Sequence, residues 1–333
     1  MKRSTFLVLV SMAMFLLTII ITSTSNAQKI KIPPTQVTAA AGSTGGSWFI
    51  ISTAFFSLFS DHIEGLSYSI IPGGGVANPI TVNKKDAMFA MGYTTNLWAA
   101  YNGYEPYKTK LTDLRGIANI NVSSVIHAWI LKSVGINSIR EIAQKKFPLK
   151  LDSGPRGTGG ELAASRCLEL HGASYQNIRS WGGSVTHSPY TEAIDRLKDG
   201  HIHCFINDDI IGVPVYVELS SARDVVLLPQ DPEVVKEMER RYGYSPKIIP
   251  ARSYKGQEKD VLSTAQHHVF MCHKDAPEDL VYMMTKLIFT NKQRLIGAHK
   301  LFTNLDPSVG PKDFPIPLHP GAERYYKEIG VLK

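Results

Sequence analysis

Beyond its first 28 residues the chain alternates short β-branched or apolar runs with longer segments whose apolar residues recur at helical spacing. That is the pattern of an α/β fold with mainly parallel sheets. Residues 36–41 predict a strand, Gly42-Ser43-Thr44-Gly45-Gly46 a turn and 47–59 a helix. A strand over 66–71, a turn over 72–75, a helix over 76–84 and a strand over 86–91 follow. The same order then returns: strand 149–153, turn 154–160, helix 161–171, strand 177–180, turn 181–184, helix 190–199 and strand 201–207. The first turn of each half contains Thr-Gly-Gly.

Such a repeat predicts two similar lobes facing one another. Residues 116–130 and 261–272 are long apolar stretches suited to strands that cross from one lobe to the other. Lobe I is therefore expected over 28–130 plus 263–333, and lobe II over 131–262. The tail, helical over 277–298 and proline-rich over 311–320, is expected to pack back on lobe I.

The N-terminus changes the picture of where this chain works. Two positive charges precede an apolar run over 6–21, and Ser25 and Ala27 stand at minus three and minus one of a cleavage point before Gln28. This is the order of a secretory signal over 1–27, which implies a periplasmic location. An uncleaved membrane anchor is the other reading, because the run is near the lower limit of about 17 residues for a spanning helix. Cys167, Cys204 and Cys272 sit among apolar neighbours and read as buried thiols, with one disulfide at most. The net charge of +7 is spread along the chain, which argues against a nucleic-acid partner.

Open parallel sheets bind ligands outside the carboxyl ends of their strands, where these turns must lie. Glycine leaves no side chain between the backbone amides and a ligand, and the following helix offers unpaired N–H groups. Gly45, Gly46, Gly74, Gly75, Gly157, Gly159 and Gly182 are candidate anion-binding positions on that ground. Ser43, Thr44 and Thr158 add hydroxyls that can donate to a carboxylate. The same residues also serve as ordinary helix caps. Arg156 either forks onto a ligand carboxylate or points to solvent. Asp208, followed by Asp209, either enters the cleft to accept a cationic amine or belongs to a solvated loop. Trp48, Tyr93 and Trp181 can wall off the aliphatic part of a ligand, or pack in the core.

No phosphate-loop lysine, nucleophile elbow or dinucleotide fingerprint occurs. His201 and His203 share a face of the predicted strand but lack a third ligand, so neither metal nor cofactor is expected. A hydrolase acting on anionic esters would use the turn hydroxyls beside oxyanion-binding amides, yet no base can be assigned. A sensor module would use the same lobe closure as a transport receptor.

With these residues in hand, the chain resembles the TAXI family of solute receptors of tripartite ATP-independent periplasmic (TRAP) transporters. The resemblance spans nearly all of the chain after the signal and rests on the run Gly42 to Gly46, Gly73-Gly74-Gly75-Val76-Ala77-Asn78, Tyr101-Asn102-Gly103, Gly157-Thr158-Gly159 and the run from Pro315 to Tyr326. It implies a type II periplasmic-binding-protein fold, no catalysis, and capture of a glutamate-like amino acid or small dicarboxylate for a membrane permease. It also implies ligand contacts around Thr44, around Gly75 and Asn78, and around Thr158. Tyr93 stands where the family often has a polar side chain. Arg156 and Asn207-Asp208-Asp209 depart from the family pattern, which has small or apolar residues there.

Overall fold

The computed structural model describes residues 29–42, 46–312 and 314–333. The first part of the chain forms β1 (Ile30–Ala40), α1 (Ser47–His62), β2 (Ile63–Ile71), α2 (Ala77–Asn83), β3 (Phe89–Tyr93) and α3 (Thr94–Asn102). β1 pairs in parallel with β2 on one side and β3 on the other. β3 begins later than its apolar pattern predicts, because Lys85 at φ +63° and the bend that follows keep the chain turning. The long strand β4 (Leu114–Leu131) then leads into the second part.

There α4 (Ile139–Gln144), β5 (Lys150–Asp152), α5 (Gly159–Leu170), α6 (Tyr175–Ser180), β6 (Ser184–Thr186), α7 (Tyr190–Lys198), β7 (Cys204–Asp209), α8 (Pro214–Ala222), β8 (Val225–Leu227), α9 (Pro232–Tyr242) and β9 (Ser245–Ile249) follow in order. β10 (Val261–His273) returns to the first part, where α10 (Glu278–Thr290), α11 (Lys292–Ala298) and α12 (Pro320–Glu328) lie. One sheet runs in the order β2-β1-β3-β10-β4-β7-β5-β6, with β8 on β4 and β9 on β10. Its flanks are parallel and its centre antiparallel.

Three expectations are corrected here. Residues 177–180 are helical, not extended: Ser174 accepts the Asn177 N–H at 3.2 Å and caps α6. The strand is Ser184–Thr186, so the fourth turn is His187-Ser188-Pro189. His201 and His203 precede β7 rather than sharing its face, because Gly200 at φ +78° is still turning the chain. Residues 277–298 form two helices, broken where Asn291 leaves helical dihedrals. The proline-rich tail does return to β4, with Gly116 N–H donating to the Pro317 carbonyl at 2.9 Å. The three cysteines are buried and free. Among the described residues no helix is long and apolar enough to cross a membrane.

β4 and β10 carry both halves of the sheet. Their ladder breaks between His267 opposite Ser123 and Val269 opposite Asn119. Asn121 occupies the break at φ +53°, a left-handed conformation that Asn tolerates better than most side chains. Its N–H is held by the Asn119 side-chain oxygen at 2.9 Å. On one side of the break, Phe55, Phe56, Phe59, Phe89 and Phe270 build a core; on the other, Ile126, Ile130, Leu151, Leu168 and Ile206 build another.

At the break sits His268, fully buried. Its Nδ1 accepts from Trp48 Nε1 at 3.1 Å, and an indole nitrogen can only donate. The imidazole is therefore neutral with its proton on Nε2, which lies 2.8 Å from Ser124 Oγ. Burial is the main cause that lowers its pKa to about 3.

Each half ties its turns together with one buried polar side chain. Asn78 Nδ2 donates to the Ala41 carbonyl at 2.7 Å and the Met91 carbonyl at 2.8 Å, while its Oδ1 accepts from Gly74 N–H at 2.9 Å. The ends of β1 and β3 and the turn after β2 are thereby fixed to one another. In the other half, Asp152 accepts from Gly154 N–H at 2.9 Å, Thr186 Oγ1 at 2.7 Å and Arg196 Nη1 at 3.0 Å.

Replacing Asn78 by Ala leaves several buried backbone groups unpaired and is expected to cost about 3 kcal/mol of unfolding free energy, measured by urea denaturation. The His268 contribution is fully present above the ordinary histidine value of 6.5 and is lost as the pH falls toward about 3. His268→Gln should therefore lose less stability than the parent between pH 7 and pH 4, read from urea midpoints.

Candidate ligand site

The turn after β2 and the turn before α5 come from opposite halves and touch. A Cβ on Gly75 would lie 3.1 Å from the Gly159 Cα and 2.9 Å from the Tyr93 ring; one on Gly159 would lie 2.5 Å from that ring. Only glycine permits this approach, since neither backbone nor a packed ring can give way by that much. Gly74 meets the Gly157 carbonyl and Thr158 in the same seam.

Polar side chains are concentrated behind the contact. Tyr93 donates to Ser124 Oγ at 3.2 Å, and its ring tilts against Trp48 at a centroid distance of 4.4 Å. Thr95 Oγ1 donates to Gln266 Oε1 at 2.5 Å, and Gln266 Nε2 donates to Asp208 Oδ2 at 2.7 Å. A chain of hydrogen bonds thus runs from the start of α3 in one half to the end of β7 in the other. Burial pushes the Asp208 carboxyl up to about 7, against the opposing pull of the Gln266 amide. The Tyr93 phenol is likewise raised by burial, and then by Asp208.

The sequence-predicted residues separate by what holds them. Ser43, Thr44 and Gly45 lie outside the described residues. Gly46 is extended at φ −79° and starts α1 without a side-chain cap. Trp48, Gly74, Gly75, Tyr93, Gly157, Thr158, Gly159 and Asp208 converge on the seam. Asn78 is there too, but its amide is committed to backbone groups. The Thr158 hydroxyl donates to Pro155 O at 2.8 Å and caps α5 at Glu161 N–H. Arg156 is exposed.

Trp181 and Gly182 do not join them. They precede β6, at the amino end of a strand whose carboxyl end faces the seam, because the strand expected before them is the helix α6. Their place is taken by His187 and Ser188, with Ser153 Oγ 3.1 Å from His187 Nδ1. Thr95, Ser124 and Gln266 were not singled out from sequence, and His268 drew attention only with His267 as a possible hydrolase histidine. The signal for Ser124, Gln266 and His268 is that they are polar residues interrupting the long apolar runs of β4 and β10, whereas Thr95 begins α3 with no comparable mark.

A groove of about 320 Å³ spans the two halves, lined by Thr95, Trp98 and Tyr104 on one side and by Arg166, Arg241 and Tyr242 on the other. Arg166 Nη2 donates to the Glu105 carbonyl at 2.9 Å, and its guanidinium lies 4.1 Å from the Tyr242 ring centroid.

Solved structures share this architecture. A Rhodopseudomonas palustris protein solved with adipate is 16% identical over 89% of this chain and 93% of its own, at a TM-score of 0.51. PhnD1 from Prochlorococcus marinus, in complex with methylphosphonate, is 11% identical over 90% and 100% respectively, at 0.52. The periplasmic binding protein BugD is 14% identical over 90% and 99%, at 0.53. At these identities the likeness establishes the α/β fold of periplasmic binding proteins. A family model matches residues 39–330, and the chain belongs to the NMT1-like family.

Proposed function

We propose that the chain is an extracytoplasmic receptor of the TAXI type that captures a small carboxylate between lobe I (28–130 plus 263–333) and lobe II (131–262). It delivers the solute, a glutamate-like amino acid or a dicarboxylate, to a TRAP-type membrane permease and performs no catalysis. Residues 1–27 direct it to the periplasm. The observation that carries this reading is the seam itself. Glycine turns from opposite halves meet at the carboxyl ends of their strands, and β4 and β10, which run between the halves, break their pairing beside that seam. Such an arrangement lets two rigid halves swing together over a solute. The adipate held by one of the related folds agrees with the ligand class.

The hydrolase reading gains a Ser–His contact, Ser153 with His187, but Ser153 has no exposed surface from which to attack a substrate. A sensor would close in the same way and differ only in the partner that receives the closed state.

The protein should be stabilised by its solute without consuming it. A ligand that binds only the folded state adds about 2.7 kcal/mol at a concentration one hundred times its dissociation constant. A thermal-shift screen of amino acids and dicarboxylates, with mass spectrometry of the recovered solute, reads both effects; failure of every carboxylate to stabilise would overturn the proposal. Gly159→Ala should weaken ligand binding at least about tenfold, equivalent to 1.4 kcal/mol, while leaving the unliganded protein folded. Its new methyl meets the Tyr93 ring and then the Gln266 amide across the seam.

A further inference from the structure

The groove between the halves joins two features that the seam does not use. Trp98, on α3, and Tyr104, in the turn that follows it, line one wall with their ring centroids 4.9 Å apart. They are 38% and 54% exposed, and among the described residues they are the only aromatic side chains so open to solvent. Scattered exposed apolar side chains need no explanation, but two large rings grouped on the wall of a groove do.

The opposite wall carries Arg166, on α5, and Tyr242, at the end of α9. Arg166 is only 7% exposed, yet its partners are neutral: the Glu105 carbonyl at 2.9 Å, the Tyr242 ring with its centroid 4.1 Å away, and the Tyr244 phenol within electrostatic reach. No carboxylate among the described residues forms an ion pair with it. A guanidinium stays charged and carries several N–H donors, so neutral partners leave its charge uncompensated. Arg241 lines the groove too, but its charge is met by Glu237. The exposed Glu105 carboxylate borders the groove without pairing with Arg166, so the space receives one negative group and repels a second.

We propose that this groove is a second ligand site, separate from the seam, for a small aromatic monocarboxylate. The ring lies against Trp98 and Tyr104, and the carboxylate is taken by Arg166, whose fork of N–H groups matches it. The groove's volume of about 320 Å³ suits one small molecule, since such sites begin at roughly 300 Å³. Neither Tyr93 nor the glycines of the seam line it; Thr95 alone belongs both to the groove and to the hydrogen-bond chain that ends at Asp208. Because its walls come from opposite halves, an occupant holds the halves together, so binding in the groove and capture at the seam should strengthen one another. Only this coupling rests on the receptor reading; the site itself does not.

The test titrates the protein calorimetrically with benzoate, with its neutral counterpart benzamide, and with cyclohexanecarboxylate, which keeps the charge and lacks the aromatic ring. Benzoate should bind at least about tenfold more tightly than benzamide and about threefold more tightly than cyclohexanecarboxylate. Trp98→Ala and Tyr104→Ala, both at exposed positions where folding is not at risk, should each weaken benzoate about fivefold. Arg166→Gln should bring the ratio of benzoate to benzamide within about twofold. Equal binding of benzoate and either control overturns the inference, as does a folded Trp98→Ala protein that binds benzoate like the parent. Absence of benzoate binding up to about 10 mM, where a millimolar site would be largely filled, overturns it too and leaves the receptor reading intact. The carboxylate that stabilises the protein best in the thermal-shift screen should bind more tightly when benzoate is present; its displacement by benzoate would put both in the seam and remove the second site. A screen in which no carboxylate stabilises removes the receptor reading, while the comparison of benzoate with its controls still decides the groove.

Discussion

Everything in this molecule depends on two strands being shared. β4 and β10 pair with each other through both halves, and the larger of the two irregularities in their ladder lies at Asn121 and His268. A continuous ladder would hold the halves as one stiff sheet. The interruption lies between two hydrophobic cores, one in each half, while the two strands still connect them. The side chains at the break are correspondingly polar and satisfied: Trp48 donates to His268, and His268 and Tyr93 both reach Ser124.

Rigidity elsewhere is what makes that break useful. Asn78 binds three backbone segments in one half, and Asp152 gathers two turns and Arg196 in the other. These two clamps differ chemically, one neutral and one ionic, but they do the same work. Turns that would otherwise fluctuate independently are presented as two fixed faces, and the glycines between those faces allow contact without side chains. A single added methyl at Gly75 or Gly159 would separate them. The seam is therefore sensitive to changes that would be tolerated on an ordinary surface.

The polar chain from Thr95 through Gln266 to Asp208 gives the contact between the halves a direction and a chemical character. Asp208 is a buried acid held by neutral groups, chiefly the Gln266 amide, and Arg166 is a buried guanidinium resting on an aromatic ring and a carbonyl. Retaining both costs stability, which a packed pair of apolar residues would not.

The alternation of apolar runs with helical segments was enough to establish an α/β architecture, the two long strands and two of the four glycine turns, because burial of a strand or a helix face imposes a period on the chain itself. The fourth turn was misplaced because a six-residue helix and a short strand carry too few positions for a period to register; the Ser174 cap decided between them. Gly75, Tyr93 and Gly159 stood out as candidates, yet nothing local says that they touch. The hydrogen bond of Gln266 to Asp208, the pairing of Trp48 with His268 and the contact of Arg166 with the Glu105 carbonyl join residues far apart in the chain. Sequence alone determined which groups could do chemistry; only the tertiary structure decided which of them were spent on holding the turns and which were left facing the seam, because hydrogen-bond satisfaction is a property of neighbours in space.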